Sequence, residues 1–288
     1  MLSYRHSFHA GNYADVFKHF CLYQTLTFMK RKEKPLLYFD SHAGAGFYDL
    51  HSAHAEKTGE YCDGIMRLYA AQQLPPALIE FRNDLRLWLE SENVYCGSPW
   101  LAAHLLGEHD TLQACELHPN DAPALQHIIR SIRPRRSFVF QKDGFVQLLA
   151  SVPPPQRRAL IVIDPSYEQK SDYDAVCSVL SKALKKFAQG CYLIWSPCLL
   201  RTEAQDFPQQ LAEVIGGRGY LRAQLKVRTE SALGMYGCEI HIINPPYLLA
   251  PVLQEAGNVL VQILAADKSA QFQLWHRDAA QSATGKSH

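Results

Sequence analysis

An acid, a proline and a tyrosine directly follow an apolar run in the middle of the chain. Residues 161–163 are Ile-Val-Ile, and Asp164, Pro165, Ser166 and Tyr167 come next. Such a run predicts a strand buried on both faces, and open α/β sheets bind ligands at the carboxyl ends of their strands. A carboxylate beside an aromatic ring could hold the amino group and the flat face of a planar base. Asp-Pro also occurs in ordinary turns, so a plain strand-to-turn connection stays open.

A second apolar run ends in an acid and leads into a glycine-containing loop. Residues 36–40 end in Asp40, and the glycine loop (residues 41–46) contains Gly44 and Gly46. Glycine permits the sharp turns with which doubly wound folds admit an adenosine-containing cofactor. The dinucleotide fingerprint G-x-G-x-x-G is incomplete because residue 49 is Asp49, and the chain has no Walker lysine pattern. Both observations argue against a nicotinamide-dependent dehydrogenase.

Acids also follow the next two predicted strands. Glu116 ends the strand expected at 111–116, and Asp143 follows the strand expected at 138–141, just before Gly144. The first could accept the two ribose hydroxyls of an adenosine, and the second, with a neighbouring main-chain amide, could contact the edge of adenine. Each acid alone could instead be a helix N-cap. Acids after four neighbouring strands together favour a cationic or hydroxyl-rich cofactor over a phosphate-rich one.

A competing candidate lies near the carboxyl terminus, where Asn244, Pro245, Pro246 and Tyr247 follow another apolar run. By residue type it is the closer match to a clamp for a base amine. Its place in the chain argues against it, because it follows a late strand. The strand before Asp164, in contrast, should pair with the strand that leads into the glycine loop. We therefore expect Asn244 to have a structural or peripheral role.

The alternation of strands and helices predicts an α/β fold. It indicates a mostly parallel sheet of seven strands covered on both faces. The strands are expected at 36–40, 111–116, 138–141, 159–164, 191–196, 221–228 and 238–243, the last two as a hairpin at one edge. Far more residues than a crossover needs separate the first two strands. Residues 49–96 are therefore predicted to be a small helical subdomain inserted into a domain of residues 1–48 and 97–288. The tail from Asp267 is expected to be loose.

Composition and charge limit the classes of partner. The formal net charge is +1, so nucleic-acid contact would depend on local basic clusters, at residues 30–34, 130–136, 157–158 and 182–186. Each cluster taken alone is more typical of an ordinary solvated face. No apolar run approaches the ~20 residues of a membrane span, and no membrane association is expected. The eight cysteines show no zinc spacing and the histidines no diagnostic one, so no metal is expected. With no secretory leader visible, the expected location is the cytoplasm.

Several segments together resemble one bacterial enzyme family over nearly the whole chain. They include the opening MLSYRHSFHAGN, residues 40–46, 54–61 and 97–99, and the sequences Glu-Leu-His-Pro at 116–119 and Asp-Gly-Phe at 143–145. The pattern is similar to that of the ribosomal large subunit methyltransferase J family, which methylates an adenine N6 in 23S ribosomal RNA. The resemblance implies S-adenosylmethionine as cofactor and a Rossmann-like class I methyltransferase fold. It also implies 23S rRNA as partner, protein-free or in an early assembly intermediate, with the inserted subdomain facing the RNA.

The resemblance also implies roles for individual residues. Asp164 corresponds to the catalytic position that accepts a hydrogen bond from the target amine, with Pro165 and Tyr167 completing the motif. Tyr4 corresponds to a tyrosine that meets the substrate RNA. Positions that correspond to cofactor contacts are His19, His42, Ser98, Glu116, Asp143 and Gly144, beside the loop glycines Gly44 and Gly46. The family motif is Asp-Pro-Pro-Tyr, so Ser166 removes one rigid residue and could alter turnover.

Two other functions stay open on the sequence alone. A DNA adenine-N6 methyltransferase would need the same clamp, and a non-catalytic nucleotide-binding module is compatible with Ser166. The favoured reaction is an in-line methyl transfer in which Asp164 and the Pro165 carbonyl orient the amine. The target base would leave its stack and rest on the Tyr167 ring.

Overall fold

The strands that precede the acidic residues lie side by side in one sheet. A computed structural model describes residues 5–89, 93–231 and 234–279. Its strands are β1 (Leu37–Asp40), β2 (Phe47–Asp49), β3 (Val94–Cys96), β4 (Thr111–Cys115), β5 (Ser137–Phe140), β6 (Ala159–Ile163), β7 (Cys191–Cys198), β8 (Tyr220–Lys226), β9 (Gly237–Ile243) and β10 (Gln271–Arg277). The main sheet has the order β10-β8-β9-β7-β6-β1-β4-β5, and β2 pairs with β3 separately.

The central strands β7, β6, β1, β4 and β5 are parallel, so their carboxyl ends share one edge. The register places Asp40 of β1 opposite Val162 of β6 and Ala114 of β4. Every residue of β6 is buried, as its uninterrupted apolar run predicts. The predicted Rossmann-like α/β class is therefore confirmed, as is the pairing of the strand before Asp164 with the strand before the glycine loop.

Over the described residues the sheet has eight strands rather than the expected seven. Residues 271–277, in the tail expected to be loose, form β10, which pairs antiparallel with β8. Phe272 and Leu274 pack against the core while their neighbours face outward, the two-residue period of a strand with one covered face. The strands β8 and β9 are antiparallel neighbours as expected, but β9 lies between β7 and β8, so β10 forms the edge.

Helices cover both faces of the main sheet. They are α1 (Tyr13–Lys30), α2 (Ala53–Thr58), α3 (Glu60–Asp63), α4 (Ile65–Ala70), α5 (Pro76–Trp88), α6 (Ser98–Leu105), α7 (Asp121–Ile132), α8 (Gly144–Ser151), α9 (Ser171–Lys186), α10 (Thr202–Ile215) and α11 (Leu249–Leu264), with a 3-10 turn at His6–Phe8. Alternate residues of the central strands pack into two cores, one shared with α1 and α11 and one with α9 and α10. No described helix is long and apolar enough to cross a membrane.

Residues 49–96 contain helices α2 to α5 and strand β3. The helical stretch of residues 60–70 is interrupted at Gly64, where a side chain would lie 2.0 Å from the Gly11 carbonyl oxygen. Leu68 and Phe81 of this segment lie in the same core as the apolar residues of α1. The division of the chain into an inserted subdomain and a main domain stays a prediction.

The close contact at Gly64 makes a prediction about stability. Gly64→Ala should lower the free energy of unfolding by about 1–3 kcal/mol, because the new methyl group must displace the backbone at Gly11. Urea unfolding at neutral pH measures the change. Gly59→Ala is the matched control: its φ of 64° is unfavourable for alanine, but nothing lies within 4 Å of the added carbon. Gly59→Ala should lower the free energy of unfolding by about 1–2 kcal/mol, from backbone conformation alone. An unchanged unfolding midpoint for Gly64→Ala would contradict the packing described here.

Candidate active site

The acids predicted at the strand ends lie along one edge of the sheet, but one of them does not face a ligand. Asp40 is fully buried and accepts hydrogen bonds from the Tyr38 hydroxyl at 2.8 Å and the Ser98 hydroxyl at 2.6 Å. Burial raises the pKa of Asp40 to about 6. Asp40 therefore ties β1 to the start of α6, and the side chain of Ser98 is already engaged. Three acids remain closer to the surface of this edge: Glu116, Asp143 and Asp164.

A largely buried ion pair holds Asp164. Lys18 of α1 donates to Oδ2 of Asp164 at 2.8 Å and lies 3.0 Å from Oδ1 of Asp15. The side chains of Lys18 and Asp164 are only 8% and 14% exposed. Among the described residues, no hydrogen bond reaches the other oxygen of Asp164, Oδ1. The carboxylate is thus fixed at one oxygen and available as an acceptor at the other.

The network of charged groups around Lys18 extends through Asp15 to residues near the amino terminus. Asp15 accepts hydrogen bonds from His6 at 2.8 Å and from the Gly11 amide at 3.0 Å. Burial alone would raise the pKa of Asp15, but the neighbouring His6 and Lys18 hold it well below its ordinary value. The sequence places Asp15 and Lys18 three residues apart on one helix face. Nothing in that spacing linked the face to Asp164, so the role of Lys18 could not be foreseen.

The segment after Asp164 is fixed at Tyr167. This residue has a φ of 52°, in the left-handed region, and its hydroxyl donates to the Trp195 carbonyl at 2.7 Å. The carbonyl of Tyr167 accepts a hydrogen bond from Arg201, which also donates to the Tyr173 hydroxyl at 3.0 Å. Ser166 is exposed. Arg201 therefore restrains the backbone next to the position where a proline is absent, a role that sequence reasoning missed.

The Tyr167 ring is not open to a ligand in this conformation. The residue is 2% exposed, and its ring lies 4.6 Å from that of Tyr173 and 5.9 Å from those of Trp195 and Phe207. Stacking of a base on Tyr167 stays a prediction that requires the ring to separate from these neighbours. Trp195 is partly exposed and has the Lys18 ammonium 5.8 Å from its ring centre. It offers a second aromatic surface beside Asp164.

The glycine loop lies against Glu116. One carboxylate oxygen of Glu116 accepts from the Gly44 amide at 2.8 Å, and the other accepts from the His118 amide at 2.7 Å. Gly44 and Gly46 have φ angles of 64° and 79°, and a Cβ atom on Gly44 would lie 2.3 Å from the Tyr48 hydroxyl. The backbone therefore requires glycine at both positions. Each carboxylate oxygen keeps a further lone pair, which suits a pair of ribose hydroxyls.

Asp143 caps helix α8, and Gly144 allows that helix to approach the glycine loop. Oδ1 of Asp143 accepts from the Val146 amide at 2.9 Å, so the N-cap interpretation is correct for this acid. A Cβ atom on Gly144 would lie 1.9 Å from the Ser41 carbonyl oxygen. Asp143 is exposed, and the cap and a contact with a ligand are compatible because a carboxylate has two oxygens.

Both histidines predicted to contact a cofactor are uncharged at neutral pH. Burial lowers the pKa of His19 to about 3 and that of His42 to about 4. Nδ1 of His19 lies 2.8 Å from the Tyr95 hydroxyl, and Nδ1 of His42 lies 2.8 Å from the Ser41 hydroxyl. Neutral imidazoles add no repulsion towards a cationic ligand. The described part of the chain holds no group of three or more His, Cys, Asp or Glu residues arranged for a metal ion.

The competing segment lies at the other edge of the sheet. Asn244 follows β9, which runs antiparallel to β7, and its side-chain amide donates to the carbonyls of Ala188 and Gly190 at 2.8 Å. The expected structural role of Asn244 is therefore confirmed. Tyr4 lies outside the described residues, so its contact with substrate stays a prediction.

Comparison with known proteins gives a consistent result. A family model described as "Ribosomal RNA large subunit methyltransferase D, RlmJ" matches residues 33–276. The chain is 45% identical over 263 residues to the Ribosomal RNA large subunit methyltransferase J of Escherichia coli K12, covering 90% of this chain and 92% of that protein. The protein of that name from Haemophilus influenzae is 40% identical over 271 residues, covering 93% and 95%. A crystal structure from Legionella pneumophila is 31% identical, with a TM-score of 0.86 over 93% of this chain and 98% of that one.

The low pKa of His19 predicts a pH dependence of stability. In the unfolded chain His19 takes up a proton below pH 6.5, whereas in the folded protein its pKa is about 3. Lowering the pH therefore favours the unfolded chain. Between pH 7 and pH 5 this residue should lower the free energy of unfolding by about 2 kcal/mol. Urea titrations of the cofactor-free protein at both pH values should show that His19→Gln loses about 2 kcal/mol less than the wild type. The same substitution at the exposed His109 is the control, and equal losses in all three proteins would refute the assignment.

Proposed function

Because this chain belongs to the ribosomal RNA large subunit methyltransferase J family, we propose that it methylates the N6 amine of an adenine in 23S ribosomal RNA with S-adenosylmethionine as donor. The observation that carries the proposal is the position of Asp164. It is held by Lys18 and follows β6, the strand that pairs directly with the strand leading into the glycine loop. A donor bound over that loop and an amine bound at Asp164 would meet at the carboxyl ends of these two strands.

The residues at this edge suit a cationic cofactor that carries an adenosine. Glu116 would accept the ribose hydroxyls, and Asp143 with the Gly144 amide would contact the adenine edge. The glycine loop allows close approach of the cofactor to the backbone, and the neutral His19 and His42 tolerate a nearby positive charge. When bound, S-adenosylmethionine supplies a methyl group on a positively charged sulfur, which is a good leaving group.

Asp164 would act by orienting the amine. The lone pair of an adenine N6 is delocalised into the ring, so the amine is a weak nucleophile until its hydrogens are bound in a fixed geometry. The Oδ1 atom of Asp164 and the carbonyl of Pro165 are the two acceptors, and Lys18 fixes the carboxylate through Oδ2. Alignment of reacting groups can contribute ~7–11 kcal/mol. The surplus proton of the methylated amine would pass to Asp164 or to water beside it.

The target adenine must leave its stack to reach this edge, at a cost of a few kcal/mol. Stacking on an aromatic side chain would return ~1–3 kcal/mol. Tyr167 supplies that surface after its ring separates from Tyr173 and Phe207, and Trp195 lies beside the same position. The same geometry would serve a flipped base of DNA, and the family to which the chain belongs favours ribosomal RNA.

The proposed roles of Asp164 and Glu116 predict effects on two different quantities, the rate of methyl transfer and the affinity for the cofactor. Asp164→Ala should lower methyl transfer to protein-free 23S rRNA on the order of 10³-fold while leaving cofactor affinity nearly unchanged. Glu116→Ala should raise the Kd for S-adenosylmethionine about tenfold or more, because it removes charge-assisted hydrogen bonds. Radiolabelled methyl incorporation and calorimetry measure the two effects, with duplex DNA as the comparison substrate. Unchanged turnover in Asp164→Ala, or preferential labelling of DNA, would refute the proposal.

The contact of Arg201 with the Tyr167 carbonyl predicts a link to Ser166. Arg201→Ala should lower kcat about tenfold with little change in KM for the cofactor, because it releases the backbone that positions Asp164. If the cause is lost rigidity, Ser166→Pro should restore part of kcat in the Arg201→Ala background. The control is Ser166→Ala, which removes the hydroxyl and adds no rigidity. Equal turnover of the Arg201→Ala protein with and without Ser166→Pro would show that Arg201 acts in another way.

A further inference from the structure

The basic clusters of the sequence lie at the edge of the sheet opposite the candidate active site. Residues 30–34 precede β1, residues 133–136 precede β5, and residues 157–158 precede β6. Because these strands are parallel, their amino ends share one edge. We use the name basic edge for six exposed side chains of these connections: Arg31, Lys32, Lys34, Arg135, Arg136 and Arg157.

Direct contacts hold these connections together. The side chain of Arg158 donates to the carbonyls of Lys32 at 3.2 Å and Lys34 at 2.6 Å, so β6 and β1 begin side by side. The Leu112 amide donates to the Arg136 carbonyl at 2.8 Å, which fixes the start of β5 next to β4. Three clusters that are distant in sequence therefore lie along the amino ends of the parallel strands, with the start of β4 between the cluster before β5 and the other two.

Helix ends explain only part of this charge. Cations in the last turn of a helix are favoured by its dipole, which accounts for Lys30, and Lys30 is also paired with Asp110. The six residues of the basic edge lie in connections outside the helices. Arg31 stacks over Phe28 at 4.0 Å, and within the described ranges no carboxylate forms an ion pair with any of the six.

Two of these arginines adopt an unfavourable backbone conformation. Arg136 and Arg157 have φ angles of 57° and 53°, in the left-handed region that favours glycine or asparagine. The other described non-glycine residues with positive φ are Tyr167, in the candidate active site, and Asn244. Backbone strain of this kind is concentrated at functional sites. Glycine or asparagine would adopt this backbone conformation with less strain. We therefore attribute the presence of arginine at these two positions to its exposed side chain.

The basic edge contrasts with the rest of the molecule. The chain as a whole carries a net charge of +1, and residues 49–96, which were expected to face the RNA, hold eight acidic and four basic side chains. The edge around Asp164 holds the acids Glu116, Asp143 and Asp164, and its cations Lys18 and Arg201 are already engaged with Asp164 and the Tyr167 carbonyl. Attraction for a polyanion is therefore concentrated away from the site where the methyl group is transferred.

We infer, on the basis of the proposed function, that the basic edge binds the phosphate backbone of the same ribosomal RNA at a segment remote from the methylated adenine. Exposed guanidinium groups match phosphate oxygens with paired donors. Arg157 and Asp164 are seven residues apart along an extended strand, roughly 20 Å. A folded RNA long enough to span both edges would contact both, whereas a short oligonucleotide would reach only one.

The test measures RNA affinity as a function of salt. For Arg136→Glu/Arg157→Glu, the Kd for protein-free 23S rRNA should rise at least tenfold at 0.1 M salt. The slope of log K against log salt should become shallower by about 1.5–2, as expected for the loss of two phosphate contacts. Affinity for a short adenine-containing RNA oligonucleotide and for S-adenosylmethionine should stay at the wild-type value. The charge-matched control is Arg228→Glu/Lys268→Glu, two exposed cations outside the basic edge, which should leave the slope unchanged.

A second variant separates binding from folding. Arg136→Asn/Arg157→Asn places at both positions a residue that favours the left-handed conformation, so Tm should be unchanged or higher while rRNA affinity still falls. Wild-type affinity and slope in the glutamate variant, or an equal loss in the control pair, would overturn the inference. The inference would also be overturned if the glutamate variant lost binding to poly-glutamate or to anionic vesicles but kept wild-type binding to rRNA. If the wild type binds 23S rRNA but transfers no methyl group, the proposed function fails and the basic edge is tested independently by affinity alone.

Discussion

The parallel pairing of β1 with β6 is the constraint on which the candidate site depends. Its register places Asp40 opposite Val162, so the chain leaves both strands at the same level of the sheet. From there one chain turns through the glycine loop and the other through the segment that begins at Asp164. Two loops separated by more than a hundred residues of sequence thereby become neighbours, and the remaining elements of the site are attached to this pair.

A shared cation then determines the charge of the site. Lys18 contacts both Asp15 and Asp164, and all three side chains are mostly removed from water. A buried carboxylate is costly unless it is paired, so one lysine between two acids fixes α1 against the end of β6. The excess of negative charge that results is compatible with a positively charged donor. Removing the lysine would leave the Asp164 carboxylate without its ion-pair partner, so the geometry of the site and the stability of the fold are linked through one side chain.

The sequence indicated the sheet and most of the acidic residues at the carboxyl ends of its strands, because both depend on local patterns. Buried strands read as uninterrupted apolar runs, and the acids that follow them were visible in the same way. Lys18 and Arg201 could not be predicted, because each acts through a contact with a residue more than 30 positions away. The burial of Asp40 and of the Tyr167 ring depends on packing between helices and sheet, which no single segment encodes. The period of β10 was present in the sequence but was obscured by the polar composition of the tail.

The position of β10 has a consequence for the ends of the sheet. An uncovered strand exposes a row of unpaired backbone donors and acceptors and invites pairing with a second molecule. β10 protects β8 in this way, and Phe272 packs so closely on α11 that a Cβ atom at Gly257 would lie 2.3 Å from its ring. A protein shortened at residue 267 would lose β10 and the packing of Phe272 on α11, so it would expose apolar core surface together with the backbone of β8 and self-associate. The last described strand therefore shields apolar surface, while the free edge of the sheet moves from β8 to β10.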